Sequence, residues 1–600
     1  MKQRTADYIA DFLADHGITD VFTVVGGGAM HLNDALGHNP RLKCTYNHHE
    51  QACAIAAECY ARLDNRIAAV CVTTGPGGTN AMTGVVGGYL DSIPMLILSG
   101  QVRYDTTARS TGLAIRAMGD QEFDICKSAA AMTKYCEMVI DPARIRYCLE
   151  KALFLATSGR PGPCWLDIPL NVQSAIIETD DLEPFTPPVR RDEPDPAAVD
   201  CVIEKLLHAE RPVFNAGNGI RLSGAFARFR EAVEALGIPV VTGWDSIDLI
   251  EDDHPLYAGR AGIMGDRPGN FAVQNSDFLL SVGSRLSIRQ VGYNYKTWAR
   301  KAFVAMVDID PDELRKPTLH VEAPICADAG AFLSALLVKL RDVKLPQRED
   351  WIAQCARWRA EYPVVQPKHY AEGETANVYC FIKELSRRLT PGTVTVVGNG
   401  SACVVGSHAY VIHSGDRFLI NSAIASMGYD LPAAIGACIA HGRQETICVT
   451  GDGSIQMNLQ ELQTIRTNRL PIKIFVICNG GYHSIRQTQK NFFGGPLVGI
   501  GEDSGDLEFP ETEKLAALYG YPFVSIRSNA ETALLDDVLR REGNLICEVN
   551  VSRDQNFEPK AASKRLPDGT MVSAPLEDLA PFLPEEELRR NLYIDPVEKF

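Results

Sequence analysis

Two short segments carry residues suited to holding a charged ligand. Gly451-Asp452-Gly453-Ser454 follows the apolar run TICVT, and Asn479-Gly480-Gly481 follows the apolar run IKIFVIC. Asp452 offers a hard carboxylate oxygen and Asn479 a neutral amide oxygen. The backbone near Gly481 could add a carbonyl. A few protein oxygens, completed by phosphate and water, is how magnesium is usually bound. Gly453 lets the chain come close to a phosphate. A helix read over residues 457–467 would add amide donors and a positive dipole end just past Ser454. Either dipeptide alone is an ordinary turn. Both together, each closing a buried strand and flanking one helix, are far more specific.

A distant segment, LKCTYNHHEQACAIAAECYARL, places Glu50 at the start of an alanine-rich helix. An acidic residue there is favoured by the helix dipole alone. The same position also suits a carboxylate that handles a proton.

The elements that must position these groups are legible as a pattern. Short β-rich apolar runs alternate with helical stretches: IAAVCVTT, PMLILSG, CWLDIPL, PVFNAG, FLLSVG, FVAMVDI, VTVVGNG, TICVTGDG and IKIFVICN. Each is bounded by Gly, Pro, Asp or Asn. Continuous apolar runs suit parallel strands buried on both faces. The expected fold class is α/β, with three doubly wound parallel-sheet domains. Linkers are read at 179–196, rich in proline and charge, and at 345–375, rich in polar residues. They give domains at 1–178, 190–345 and 370–555, and a tail at 556–600 that packs over the body or caps a site.

Composition narrows the function class. A net charge of −16 argues against a nucleic-acid or anionic-membrane surface. No apolar run is long enough for a membrane span. The N-terminal MKQRTADYIADFLADHG sets Tyr8, Ile9, Phe12 and Leu13 opposite Asp7, Asp11 and Asp15, and reads as a first helix, not a signal peptide. The 17 cysteines show no CxxC pair, so reduced thiols in a cytoplasmic protein are expected rather than disulfides or zinc.

The GDG…N spacing resembles the thiamine-diphosphate enzymes. The resemblance assigns Asp452, Asn479 and Gly481 to the metal, and Gly453, Ser454, His483 and Ser484 to the diphosphate end. Cys478 stands where that family commonly has a first asparagine. His49-Glu50-Gln51 and the AxAAEcYAR pattern are similar to the family's activating glutamate. Glu50 is then expected to hold the proton on the cofactor's aminopyrimidine that makes C2 of the thiazolium a nucleophile. Gly27 in the triple glycine lies near the reacting atoms. Thr73, Gly75, Pro76, Gly77 and Asn80 line the pyrimidine side. Met427 matches an apolar pivot that bends the cofactor, although alone it would read as core. Gly398, Asn399 and Gly400 match a loop beside the aminopyrimidine. Ser401, Ala402 and Cys403 depart from the family's QHQ there.

The resemblance narrows to the acetohydroxyacid (acetolactate) synthase group. GRPGPCWLDIPLNVQ, the Gly119-Asp120-Gln121-Glu122 loop with Gln121 as a catalytic residue, and Lys134 carry it, as do AGNGI, GRAGIMG, NFAVQNSDFLLSVGSRLSIRQ and VDIDPDEL. It implies FAD, in a non-redox role, on the central domain, with Arg160, Gly217, Arg285, Arg289, Asp308 and Asp328 as contacts. Many thiamine enzymes keep that domain without a flavin, and strand-end glycines are ordinary in any such sheet. It also implies a homodimer or homotetramer with sites at the interface. The expected donor is a 2-keto acid, pyruvate above all. Thr488 replaces the tryptophan that shapes the synthases' acceptor pocket. The tail is similar to carboligases of yersiniose-type sugar pathways. Transfer of the two-carbon unit to a ketone, aldehyde or keto-sugar is therefore expected. Acetolactate synthesis, simple decarboxylation, C–C hydrolysis and a binding protein with a dead site are the alternatives, and intact Glu50, Asp452 and Asn479 count against the last. Arg289 favours a carboxylate-bearing acceptor.

Overall fold

A computed structural model describes residues 1–565 and 568–597. Residues 566–567 and 598–600 of the tail lie outside the described residues.

Three six-stranded sheets, all parallel, follow one another along the chain. The first runs, in spatial order, Lys43–Tyr46, Asp20–Thr23, Ala69–Val72, Met95–Gln101, Pro163–Pro169 and Tyr135–Met138. The third runs Arg417–Ile420, Val394–Val397, Thr446–Gly451, Ile472–Cys478, Leu545–Asn550 and Phe523–Ile526. Taken in chain order, both sheets have the same strand sequence, so their chain reversals fall at equivalent places. The middle sheet differs. Its spatial order is Tyr257–Arg260, Val240–Thr242, Pro212–Ala216, Phe278–Val282, Phe303–Asp308 and Ala323–Cys326. This is the winding of dinucleotide-binding sheets, with its switch point between Pro212–Ala216 and Phe278–Val282. Burial on both faces explains the unbroken apolar runs: every residue of Met95–Gln101 and Pro163–Pro169 is buried.

Two helices lock the outer domains together. Glu50–Asp64 packs on Asp430–Ala440, whose small residues allow close approach between the helix backbones. The first helix, Thr5–Asp15, buries Ile9, Phe12 and Leu13 as its spacing predicts. A short strand, Lys2–Arg4, precedes it and pairs with Ile176–Glu178.

Two readings of local structure change. The polar stretch taken as a linker at 345–375 contains a helix, Glu349–Glu361, that buries Trp351, Cys355 and Trp358. Its buried face is a narrow aromatic stripe inside a charged sequence, which hides the helical period. The helix expected over 457–467 is split into a 3-10 turn, Ile455–Asn458, and a helix, Glu461–Thr467. The tail packs over the central domain. Arg267 donates to the carbonyls of Leu579 and Pro581, Gln274 to Glu577, and Trp358 Nε1 to Asn591 at 2.8 Å.

Candidate active site

The reversal in the third sheet brings the ends of Val394–Val397 and Thr446–Gly451 side by side, where open sheets bind ligands. Asp452 sits there. Its Oδ2 accepts the N–H groups of Asn479, Gly480 and Gly481 at 3.0, 2.8 and 3.1 Å, and its Oδ1 accepts that of Gly453 at 2.9 Å. Burial pushes the carboxyl up to about 6 against the pull of these donors. Asn479 Nδ2 donates to Ser401 Oγ at 3.1 Å, while its Oδ1 is buried with no protein partner. An orphaned amide oxygen beside a carboxylate is the donor pair a hard cation needs. Gly481 has φ 130°, and a Cβ there would lie 1.8 Å from the Ile500 carbonyl, so only glycine closes this turn. Among the described residues no three His, Cys, Asp or Glu cluster as metal ligands. A site of one carboxylate, one amide and backbone leaves most positions to phosphate and water.

Several of the expected diphosphate-end residues act inside the protein. Ser454 Oγ donates to Asp430 at 2.6 Å and accepts the Gly428 N–H at 2.9 Å, so it clamps the half-buried Met427 beside the Asp452 turn. Both His483 ring nitrogens are engaged within the fold, one with the Gln555 carbonyl at 2.6 Å and the other with Arg486. The ring packs on Phe557, so the His483 side chain is engaged within the fold. Ser484 follows it in the first turn of the helix His483–Phe492. Gly398-Asn399-Gly400 lies between two regions. Asn399 Nδ2 donates to the Ala425 carbonyl at 2.5 Å, and Gly400 starts the helix whose Ser401 meets Asn479. The loop therefore abuts the metal end as well as the Met427 loop.

The second group gathers at the C-terminal edge of the first sheet. Glu50 is the first residue of its helix, whose cap His49 accepts the Gln51 N–H at 3.1 Å. Asn80, on the neighbouring helix Pro76–Asp91, donates to Glu50 Oε2 at 2.9 Å. Thr73 Oγ1 accepts the Gly28 N–H at 3.1 Å, leaving the adjacent Gly27 exposed, and Pro76 is exposed too. Gln121 has φ 59° and an exposed side chain, while its carbonyl accepts the Thr74 hydroxyl at 3.4 Å. Gln101, which no motif marked, joins these pieces. It accepts the Thr74 hydroxyl at 2.7 Å and donates to the Phe123 carbonyl at 2.8 Å and to Asp167 at 3.0 Å. Within the chain the two groups stand on different sheets. They are linked through Gln51 to Asn458 at 2.8 Å and Asn47 to Glu461 at 2.9 Å.

The middle sheet's switch point opens into a cavity of about 370 Å³. Arg160, Arg285, Arg289, Asp308 and Asp328 all line it. Burial pushes Asp308 up to about 6. Asp328 caps the helix Ala329–Leu340 through the Ala331 N–H at 3.0 Å. Arg160 is held by Asp310 at 3.0 Å and Glu313 at 2.8 Å. Gly217 is the exception. A Cβ there would lie 2.3 Å from the Gly283 carbonyl, so it lets two strand ends meet, and Asn218 and Gly219 do the lining. Arg289 stacks over Trp244, its guanidinium 4.7 Å from the ring centre. This pair also walls a small second cavity with Asn399, Cys403 and Ser426. Trp244 thus connects the central cavity to the third domain, and nothing in its local sequence announced that role.

Comparisons with known proteins agree with this geometry. Residues 3–127 match the N-terminal TPP binding domain of thiamine pyrophosphate enzymes, 199–336 the central domain, and 398–549 the C-terminal TPP binding domain. The chain is 31% identical to the acetolactate synthase isozyme 2 large subunit of Escherichia coli (strain K12), over 96% of this chain and 100% of that protein. It is 30% identical to the acetolactate synthase of Arthrospira platensis, over 92% and 95%. It is 31% identical to the acetolactate synthase large subunit of Lactococcus lactis, over 91% and 92%. With a magnesium-type turn on the third sheet and a carboxylate on the first, the chain belongs to the thiamine pyrophosphate enzymes as an acetolactate synthase-like carboligase.

Proposed function

We propose that this enzyme decarboxylates pyruvate and joins the two-carbon unit to a ketone or keto-sugar acceptor. The cofactor set is thiamine diphosphate, magnesium and FAD. When bound, thiamine diphosphate supplies a nucleophilic carbon and an electron sink for the pair left behind as carbon dioxide departs. Asp452, Asn479 and the Gly481 backbone hold the metal that carries the diphosphate. Met427 would contact the bound cofactor from its loop, and Glu50, oriented by Asn80, would handle the proton on the aminopyrimidine nitrogen. Arg160, Arg285, Arg289, Asp308 and Asp328 line a cavity on a dinucleotide-type sheet, which supports the flavin in an architectural role. Apolar side chains stand exposed near both halves, Val25 (60%), Met30 (53%) and Tyr46 (52%) on one side and Met457 and Ile485 on the other. These faces support a homo-oligomer in which each site joins the Glu50 edge of one subunit to the Asp452 edge of another. The described cysteines are all free, and no described helix is long and apolar enough to cross a membrane, which supports action in the cytoplasm.

The observation that carries the acceptor reading is Thr488. It stands exposed on the helix His483–Phe492, with its hydroxyl turned back to the Ser484 carbonyl at 3.0 Å. Its small bulk, rather than its polarity, is what it offers an acceptor. A second reading, acetolactate formation from two 2-keto acids, is favoured by Arg289 at the wall between the two cavities. Product analysis separates them. The protein is incubated with pyruvate, thiamine diphosphate and magnesium, with and without a panel of ketones and keto-sugar nucleotides. Branched tertiary alcohols support the first reading and acetolactate alone the second. Acetaldehyde alone would mark a decarboxylase, and absence of carbon dioxide release from every 2-keto acid would overturn all three.

A further inference from the structure

We propose that Asp91 is a positioning residue that couples occupancy of the central cavity to the loop bearing Met427. This rests on reading the cavity as a flavin site and Met427 as a thiamine contact. Asp91 ends the helix Pro76–Asp91, and its side chain is 1% exposed. Groups from all three domains converge on it. From the first domain, Arg62 donates to Oδ2 at 2.9 Å. From the third, the N–H of Ser422 reaches Oδ2 at 2.8 Å and that of Ala423 reaches Oδ1 at 3.1 Å. From the central domain, the Arg285 guanidinium stands 3.6 Å from Oδ1. Asp91, Arg285 and Ser422 are also neighbours on the cavity wall.

Ser422 and Ala423 open the loop that runs to Met427. Its far end is fixed at Gly428 by Ser454, two residues past the metal-binding Asp452. Its middle is fixed at Ala425, whose N–H donates to Asn421 at 3.2 Å and whose carbonyl accepts from Asn399 at 2.5 Å. Asp91 therefore holds one end of a short loop whose other end touches the diphosphate turn. The same hub reaches the Glu50 helix, since Arg62 also binds Glu58, and Glu58 accepts the Tyr429 hydroxyl at 2.9 Å.

The direction of the coupling follows from one atom. Arg285 and the Ala423 N–H both address Oδ1 of Asp91. Arg285 is the looser partner, with 31% of its side chain exposed. An anionic ligand in the cavity draws that guanidinium toward itself. Oδ1 of Asp91 is then left to the Ala423 N–H, with Arg62 and the Ser422 N–H still on Oδ2, and the loop tightens around Met427. Binding free energies are reciprocal, so thiamine diphosphate must tighten the flavin by the same factor.

The test is titration of the cofactor-stripped full chain with magnesium and thiamine diphosphate, with and without saturating FAD. In the parent, FAD is expected to tighten thiamine diphosphate about tenfold. In Asp91→Asn, which keeps the shape but not the charge, that factor is expected to fall to within about twofold of unity. Arg285→Met serves if Asp91→Asn does not fold. It leaves Asp91 its loop amides and removes their competitor, so thiamine diphosphate should bind tightly whether or not FAD is present. A merely structural role would lower affinity or melting temperature without changing the ratio. The same FAD-dependent tightening in the parent and both variants overturns the proposal, as does independence of the two cofactors in the parent. Failure of FAD to bind the parent at all would remove the flavin reading and this coupling with it.

Discussion

Asn80 Nδ2 donates to Glu50 Oε2 at 2.9 Å, across two helices that begin side by side at the edge of the first sheet. A carboxylate at a helix start is free to swing. One fixed donor from the adjacent helix sets its direction without neutralising it.

That contact makes Glu50→Gln an informative change. The amide oxygen still accepts from Asn80, so the local shape survives while the proton-handling group is lost. Turnover of pyruvate is expected to fall by about 10²–10⁴-fold. Thiamine diphosphate affinity, read by titration, should change only a few-fold. Near-normal turnover would remove Glu50 from its assigned role.

Asn479→Ala tests the metal site. It deletes the unpartnered buried oxygen and leaves the four amide donors to Asp452 in place. Retention of thiamine diphosphate on a desalting column is expected to drop sharply, and excess EDTA should have the same effect on the parent. Full retention by both would show that the diphosphate is held without a cation at this turn.

Much of this site was legible because its signals are local. Asp452 and Asn479 each end an apolar strand, and Glu50 starts a helix in a recognisable pattern. The strands themselves were legible because parallel sheets bury both faces and leave unbroken apolar runs. Asp91, Gln101 and Trp244 were not legible. Asp91 has meaning only through Ser422 and Arg285, and Gln101 only through Thr74 and Asp167, partners far away in sequence. The surroundings of His483 were hidden for the same reason, because Gln555 and Phe557, which contact its ring, lie in another part of the chain. Gly217 looked like a ligand contact, yet its requirement comes from the Gly283 backbone.

His408 gives the fold a pH limit. It is buried in the helix Ser401–Ala409, with Nδ1 3.3 Å from the Tyr379 hydroxyl. Burial, helped by the charge of Arg260, lowers it to about 4. A histidine whose folded value is depressed contributes stability that is complete above its ordinary value near 6.5 and is lost as pH falls toward 4. The loss from this residue is about 3 kcal/mol by pH 4. Melting temperatures of the parent and of His408→Gln, taken from pH 7 to pH 4, should converge as pH falls. Parallel curves would mean that burial leaves the His408 imidazole at its ordinary value.

The acceptor end is decided by Thr488→Trp. Thr488 spends its hydroxyl on the Ser484 carbonyl, so no hydrogen bond to an acceptor is lost when it is replaced. The change is one of bulk on an exposed helix face, next to the exposed Phe492 and Phe493. An indole there would fill space that a branched ketone needs and leave room for a small 2-keto acid. A steric penalty of this kind is worth about 10–200-fold in kcat/KM. With pyruvate and a bulky ketone in competition, the variant should therefore shift its products from the branched alcohol toward acetolactate by at least about tenfold. Total carbon dioxide release should change far less, because the donor half-reaction depends on Glu50 and the metal turn. An unchanged product ratio would place the acceptor wall elsewhere, and Arg289 beside Trp244 would then be the next side chain to vary.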